Sequence, residues 1–170
     1  MSGGVRILGI DPGSQVTGFG LIVADGTRYS YVASGCIRTP SGDFADRLRE
    51  IYLQVGEVSR KHQPHEVAIE GVFVSQNAAT ALKLGQARAA AMCATFALEL
   101  PVFEYAPRQI KQSVVGTGKA EKVQVEHMVR VLLQLKGQIQ SDAADALAVA
   151  LCHANMRGSA IRLAAAQVHA

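Results

Sequence analysis

No apolar run in this 170-residue sequence has the length of a membrane span; the most apolar long stretch, 87–100, is alanine-rich and carries Arg88 and Glu99. The opening MSGGVR lacks the apolar region of a signal peptide, so a cytoplasmic protein is expected. Only three cysteines are present, Cys36, Cys93 and Cys152. They are far apart, form no CxxC pair and sit in apolar contexts. That excludes a disulfide scaffold and predicts reduced core thiols. The five histidines show no HxH or HxxxH spacing, which removes the usual zinc arrangements. The glycine-rich VVGTGKAEK is not a phosphate loop, because GxxxxGK[ST] would need Gly at Ser113 and Ser or Thr at Ala120. No repeat or low-complexity linker interrupts the chain. One domain over 1–156 is expected, followed by a tail, 157–170, that the pattern does not place and for which disorder is one reading.

What is present suits a packed core. Apolar residues make up 49% of the chain, enough for a domain of this size to bury a sizeable interior. Net charge is only +3, but it is unevenly placed. Residues 1–100 hold nine basic and nine acidic side chains, whereas 101–170 hold eight basic and five acidic. A local basic surface facing a polyanion is one reading; a solvated face is the other.

Strands are expected at 5–10, 18–24 and 27–39, the last rich in β-branched and aromatic residues, with Asp25-Gly26 as a hairpin signal. Leu48, Ile51, Tyr52, Val55 and Val58 recur at helical spacing, so a helix is expected over 44–61. A short strand ends at Glu70. An alanine-rich helix over 77–98, a strand over 102–105, and helices over 107–115, 120–135 and 142–155 complete the pattern. Pro107 suits the first turn of its helix. Three antiparallel strands followed by alternating strands and helices predict an α/β protein: one mixed five-stranded sheet flanked by helices.

Asp11 ends the first strand and is followed at once by Pro12-Gly13. Glu70 ends the fourth. Asp142 and Asp145 are three apart on a helix and share a face among small neighbours. Singly, Asp11, Glu70 and Asp142 have plain roles as turn, strand-end and helix-start residues, whereas Asp145, one turn further in between alanines, is harder to explain that way. Together they suggest a hard-cation site, since Mg²⁺ takes oxygen ligands. Two such ions about 3.5–4 Å apart can serve phosphodiester cleavage.

The motifs GIDPG (9–13), IEGVF (69–73), ALKLGQARA (81–89), VFEYAPRQIKQSVVG (102–116), GKAEKVQVEHMV (118–129) and DAADALAVA (142–150) closely resemble the RuvC family of bacterial Holliday-junction resolvases. They cover nearly the whole chain, in order. The resemblance implies a ribonuclease-H-like fold and a homodimer that nicks a four-way DNA junction symmetrically. It implies Mg²⁺ as cofactor, with Mn²⁺ able to substitute, and work beside a branch-migration complex of the RuvA and RuvB type. Carried over by position, Asp11, Glu70, Asp142 and Asp145 are the catalytic, metal-holding acids. Phe73 is the aromatic that opens the junction centre, and Lys111 and Lys122 lie near the scissile phosphate. Lys119 falls inside the same motifs.

From Arg108 to Lys136 the chain carries six basic residues (Arg108, Lys111, Lys119, Lys122, Arg130, Lys136) against two acidic ones, a segment suited to phosphate contacts. For Phe73 a core position is the plain alternative to a stacking role. Three other functions fit parts of the pattern. GIDPGSQVTGFG also resembles the first phosphate loop of actin-like and sugar-kinase ATPases, but no second glycine-rich motif accompanies it. A catalytically silent junction-binding module is opposed by the full set of acids. A nuclease of the same fold acting on RNA or simple duplex is set aside only by the family motifs.

Overall fold

A computed structural model describes residues 4–71 and 77–168, with side chains described up to residue 159. The strands are β1 (Val5–Asp11), β2 (Val16–Asp25), β3 (Arg28–Arg38), β4 (Glu66–Glu70) and β5 (Val102–Tyr105). The helices are α1 (Phe44–His62), α2 (Ala78–Phe96), α3 (Pro107–Val115), α4 (Lys122–Leu132) and α5 (Ser141–Val168). The sheet order is β3-β2-β1-β4-β5. β1–β2 and β2–β3 are antiparallel, and β1–β4 and β4–β5 are parallel. This is the mixed sheet expected from the sequence.

Alternation along the strands sorts the core into two layers. Ile7, Ile22 and Ala68 face α3, α4 and α5. Leu8, Ile10, Leu21, Val67 and Ile69 face α1 and α2. On α2 the stripe Ala87, Ala91 and Ala94 is buried at helical spacing. The same period places Asp11 and Glu70, two residues beyond Gly9 and Ala68, on the α5 side.

α5 is the central helix. Alanines and leucines from Ala143 to Cys152 are buried on nearly every side, which a helix needs if it is to lie under other helices and over a sheet.

Three details differ from expectation. α5 does not end near Asn155 but continues to Val168, taking in most of the unplaced segment; no proline or positive-φ stop intervenes, and its alanines favour helix. α4 ends at Leu132 rather than Leu135, because Gln134 takes φ 51°, a left-handed conformation that breaks the helix. Cys93 is exposed and Cys36 half-buried, so only Cys152 is a core thiol; the alanine-rich helix that carries Cys93 gives little periodic signal to separate its faces.

Candidate active site

Asp11 is the last residue of β1, one step beyond the final parallel pair Ile10↔Ile69, which sets it beside Glu70 at the same sheet end. The turn behind it is locked. Thr17 is fully buried, its hydroxyl donating to the Gly13 carbonyl at 2.9 Å and lying 3.3 Å from the Gly13 N–H. A Cβ on Gly13 would stand 2.2 Å from the Val16 carbonyl oxygen, so only glycine closes this turn. A rigid strand end therefore aims the carboxylate.

The other acids arrive on the first turn of α5, which presses onto the sheet because the strands beneath it are glycine. A Cβ at Gly18 would lie 1.9 Å from the Asp142 carbonyl oxygen, and one at Gly9 2.1 Å from that of Ala146. Gly20 is similarly filled by Leu147. Gly9 pairs with Gly20, and Gly18 with Asp11, so the three glycines form one bare patch. Backbone-to-backbone approach brings carboxylate oxygens of Asp11, Asp142 and Asp145 within 4.8 Å of one another. Glu70 joins them through a side-chain hydrogen bond with Asp11. Asp11, Glu70, Asp145, Lys111 and Lys122 line one open cleft of about 310 Å³, floored by Pro107, Ile110, Val125 and Ala148.

The cluster is electrostatically loaded. Burial, then the charges of Glu70 and Asp145, push the Asp11 carboxyl up to about 8. Burial and Asp145 raise Glu70, against the hydrogen bond from Asp11 and the nearby Lys122 and Lys111 charges. Burial also raises Asp145, against its ion pair with Lys122 (Nζ to Oδ2, 2.6 Å). Burial alone would lower the Lys122 ammonium, but Asp145, with Asp142 and Asp11 behind it, raises it. Asp11 and Glu70 thus share a proton in the metal-free protein. All the donors are oxygens, and a divalent cation would relieve their repulsion; the set fits a hard metal ion.

A stability change with pH follows. The folded state holds a proton on Asp11 up to about 8, whereas its ordinary value is 3.8. Between those values the folded state binds more protons than the unfolded one, so metal-free stability falls as pH rises. Melting without divalent metal is expected to drop between about pH 5.5 and about pH 8.5, with ~2 kcal/mol corresponding to about 4–8 °C. Added Mg²⁺ should restore stability mainly at the higher pH. A flat metal-free profile would contradict the cluster electrostatics.

Arg108 and Lys119 are exposed and do not line the cleft; the Arg108 side chain runs over Gly118 instead. Phe73 lies outside the described residues. Sequence reading missed Arg88. From α2 its Nε donates to the Glu70 carbonyl at 3.3 Å, and its guanidinium pairs with Glu104 of β5, so it braces the strand end behind the site. Its only sequence signal is a charge inside an alanine-rich helix.

Residues 7–153 match the family model described as crossover junction endodeoxyribonuclease RuvC. The chain belongs to the RuvC family. A RuvC from Vibrio cholerae is 56% identical over 158 residues, 93% of this chain and 91% of that one. A RuvC from Sodalis glossinidius is 54% identical over 157 residues, 92% and 91% of the two chains. Among solved structures, the Thermus thermophilus RuvC in complex with a Holliday-junction substrate superimposes with a TM-score of 0.85 at 34% identity, covering 92% of this chain and 96% of that one. The α/β fold with its mixed sheet is therefore the RuvC fold, and the acidic cluster lies in the chain of a family of endonucleases.

Proposed function

We propose that this protein resolves four-way DNA junctions, nicking opposing strands by Mg²⁺-dependent phosphodiester hydrolysis in recombination and repair. The carrying observation is the convergence of acids from β1, β4 and α5 with Lys111 and Lys122 in one cleft of a RuvC-family chain. Asp11, Glu70, Asp142 and Asp145 would hold the cation. Such an ion supplies Lewis-acid polarisation of the phosphate and a nucleophile at neutral pH.

The chain's own residues do the rest. The carboxylates sit on a strand end and a helix turn packed backbone to backbone, so the reacting phosphate meets a preformed site. Lys122 and Lys111 offset a negative field that would otherwise repel DNA. Both line the cleft, where they would neutralise charge building on a bound phosphate, and Lys122 is exposed enough to exchange Asp145 for it. Arg108 and Lys119 contribute phosphate contacts on the surface beyond the cleft. Phe73 follows Glu70 closely in sequence and stacks on the opened junction bases in this reading. A single nuclease domain over 1–156 carries the activity in the cytoplasm. A two-fold homodimer matches the two-fold substrate, and a RuvA- and RuvB-type complex supplies migrating junctions. No described helix is long and apolar enough to cross a membrane.

The test is a synthetic four-way junction with Mg²⁺, labelled on each strand in turn. Nicks at matching positions on two opposing strands are expected; nicks on one strand alone would contradict symmetric resolution. With four to six phosphate contacts per subunit, log affinity in EDTA should fall with log salt at a slope of about −4 to −5 per subunit. A slope near zero would remove the basic surface from the account.

A further inference from the structure

α5 is fastened to the sheet a second time, away from the carboxylates. His153 is 2% exposed. Its Nε2 lies 2.7 Å from Glu66 Oε2, and its Nδ1 lies 2.6 Å from the Tyr105 hydroxyl. Arg157 Nε donates to the other Glu66 oxygen at 3.0 Å, and the Phe103 ring packs on the imidazole at 4.4 Å between centroids. A carboxylate only accepts, so Nε2 carries the proton and Nδ1 accepts from Tyr105. Burial, which lowers His153 and pushes Tyr105 up to about 12, suits this neutral imidazole and protonated phenol.

The spacing ties these contacts to the acidic site. Glu66 and Glu70 share one face of β4, four residues apart, about 13 Å. Asp145 and His153 are eight residues apart on α5, about 12 Å. Helix and strand run in opposite directions here, so holding His153 at Glu66 holds Asp145 level with Glu70. Tyr105 closes the loop: its carbonyl accepts the Gly71 N–H at 2.9 Å, directly after Glu70. Where Ala146 and Ala150 lie over Gly9 and Asp142 over Gly18, little side-chain interlock opposes sliding along the helix axis, while Leu147 and Leu151 pack into the same layer. Directional hydrogen bonds add a fixed register to that packing. A half-buried carboxylate holding a buried imidazole adds little stability over an apolar filling, so alignment is the better account of the cluster.

We infer that Glu66, His153 and Tyr105 form a pin that sets how far α5 slides along β4, and thereby the separation of Glu70 from Asp142 and Asp145. They are positioning residues for the cleavage reaction, an inference that rests on the metal-nuclease reading above. Mg²⁺ and Mn²⁺ sites tolerate little slippage, since a one-residue slide of a helix is ~1.5 Å against metal–oxygen bonds of about 2.1 Å.

The test compares Glu66→Ala, Glu66→Gln, His153→Phe and Tyr105→Phe with the wild-type protein. Calorimetric titration of the DNA-free protein with Mn²⁺ is read beside the Mn²⁺ concentration for half-maximal junction nicking. Glu66→Ala and His153→Phe are expected to weaken both about tenfold, with junction affinity in EDTA unchanged. Glu66→Gln, which keeps the acceptor for His153, should stay within about twofold, and Tyr105→Phe should shift the same way by less. If His153→Phe fails to fold, Glu66→Ala and Tyr105→Phe decide. Lower melting temperatures with unchanged Mn²⁺ affinity and unchanged metal dependence of nicking would overturn the pin. Wild-type protein that nicks no junction with any metal would instead sink the nuclease reading, while the Mn²⁺ titration would still decide the pin.

Discussion

Asp11→Asn is expected to abolish metal-dependent nicking of a four-way junction, by about 10³-fold or more, and to leave junction binding in EDTA within about twofold of wild type. Asparagine has nearly the same shape and can keep the turn that Pro12 and Gly13 impose. What it removes is the anion. Losing about 4 kcal/mol of charge stabilisation at a metal site corresponds to about 10³ in rate. The same change should raise the melting temperature of the metal-free protein at about pH 8.5, because the buried charge that Glu70 and Asp145 repel is gone. Loss of activity with gain of stability is hard to obtain from a structural residue. Denaturing gels of the labelled junction and a melting curve read both halves. Nicking that survives, or activity and stability lost together, would contradict the role given to Asp11.

Gly18→Ala is expected to cut nicking about 10²-fold although it adds only one methyl group and touches no acid side chain. The new Cβ would fall 1.9 Å from the Asp142 carbonyl oxygen, a backbone atom with no rotamer to escape into. The first turn of α5 must lift, and Asp142 and Asp145 lift with it. Overpacking of this kind costs about 1–3 kcal/mol, so the variant should remain folded in a domain with ordinary stability. Excess Mn²⁺ should recover part of the activity, because the displaced acids still surround the cation. Circular dichroism, melting and a metal titration separate this outcome from unfolding. Wild-type nicking with an unchanged metal requirement would show that close approach of α5 is not what sets the site.

These effects differ in how far the residues announce them. The strand ending on Asp11 and the strand ending on Glu70 are legible, because apolar runs closed by a carboxylate and a turn are local patterns. The strand directions follow from two hairpins and two crossovers, again local signals; that β4 pairs with β1 rather than β3 is a tertiary result. The Asp142/Asp145 pair is legible as a helix face. The cleft itself is tertiary: Lys111 and Lys122 reach it only when α3 and α4 pack over α5, and only the family motifs single them out beforehand. Gly9, Gly18 and Gly20 read as ordinary strand glycines until a helix backbone is set against them. Glu66 and His153, 87 residues apart, carry no pattern that links them. The end of α4 is not legible, because a left-handed glutamine has no strong signature. The course of α5 is not legible either, because its alanines carry no amphipathic stripe to follow.

The proposed metal-dependent centre for cutting junctions is built from the acids of β1, β4 and α5. The most direct measurement incubates the protein with a four-way junction, a linear duplex of the same sequence and an RNA–DNA hybrid, each with Mg²⁺ and with EDTA. Nicking of the junction alone, present with Mg²⁺ and absent with EDTA, is the expected result. Equal cutting of duplex or hybrid, or nicking that persists in EDTA, would contradict it.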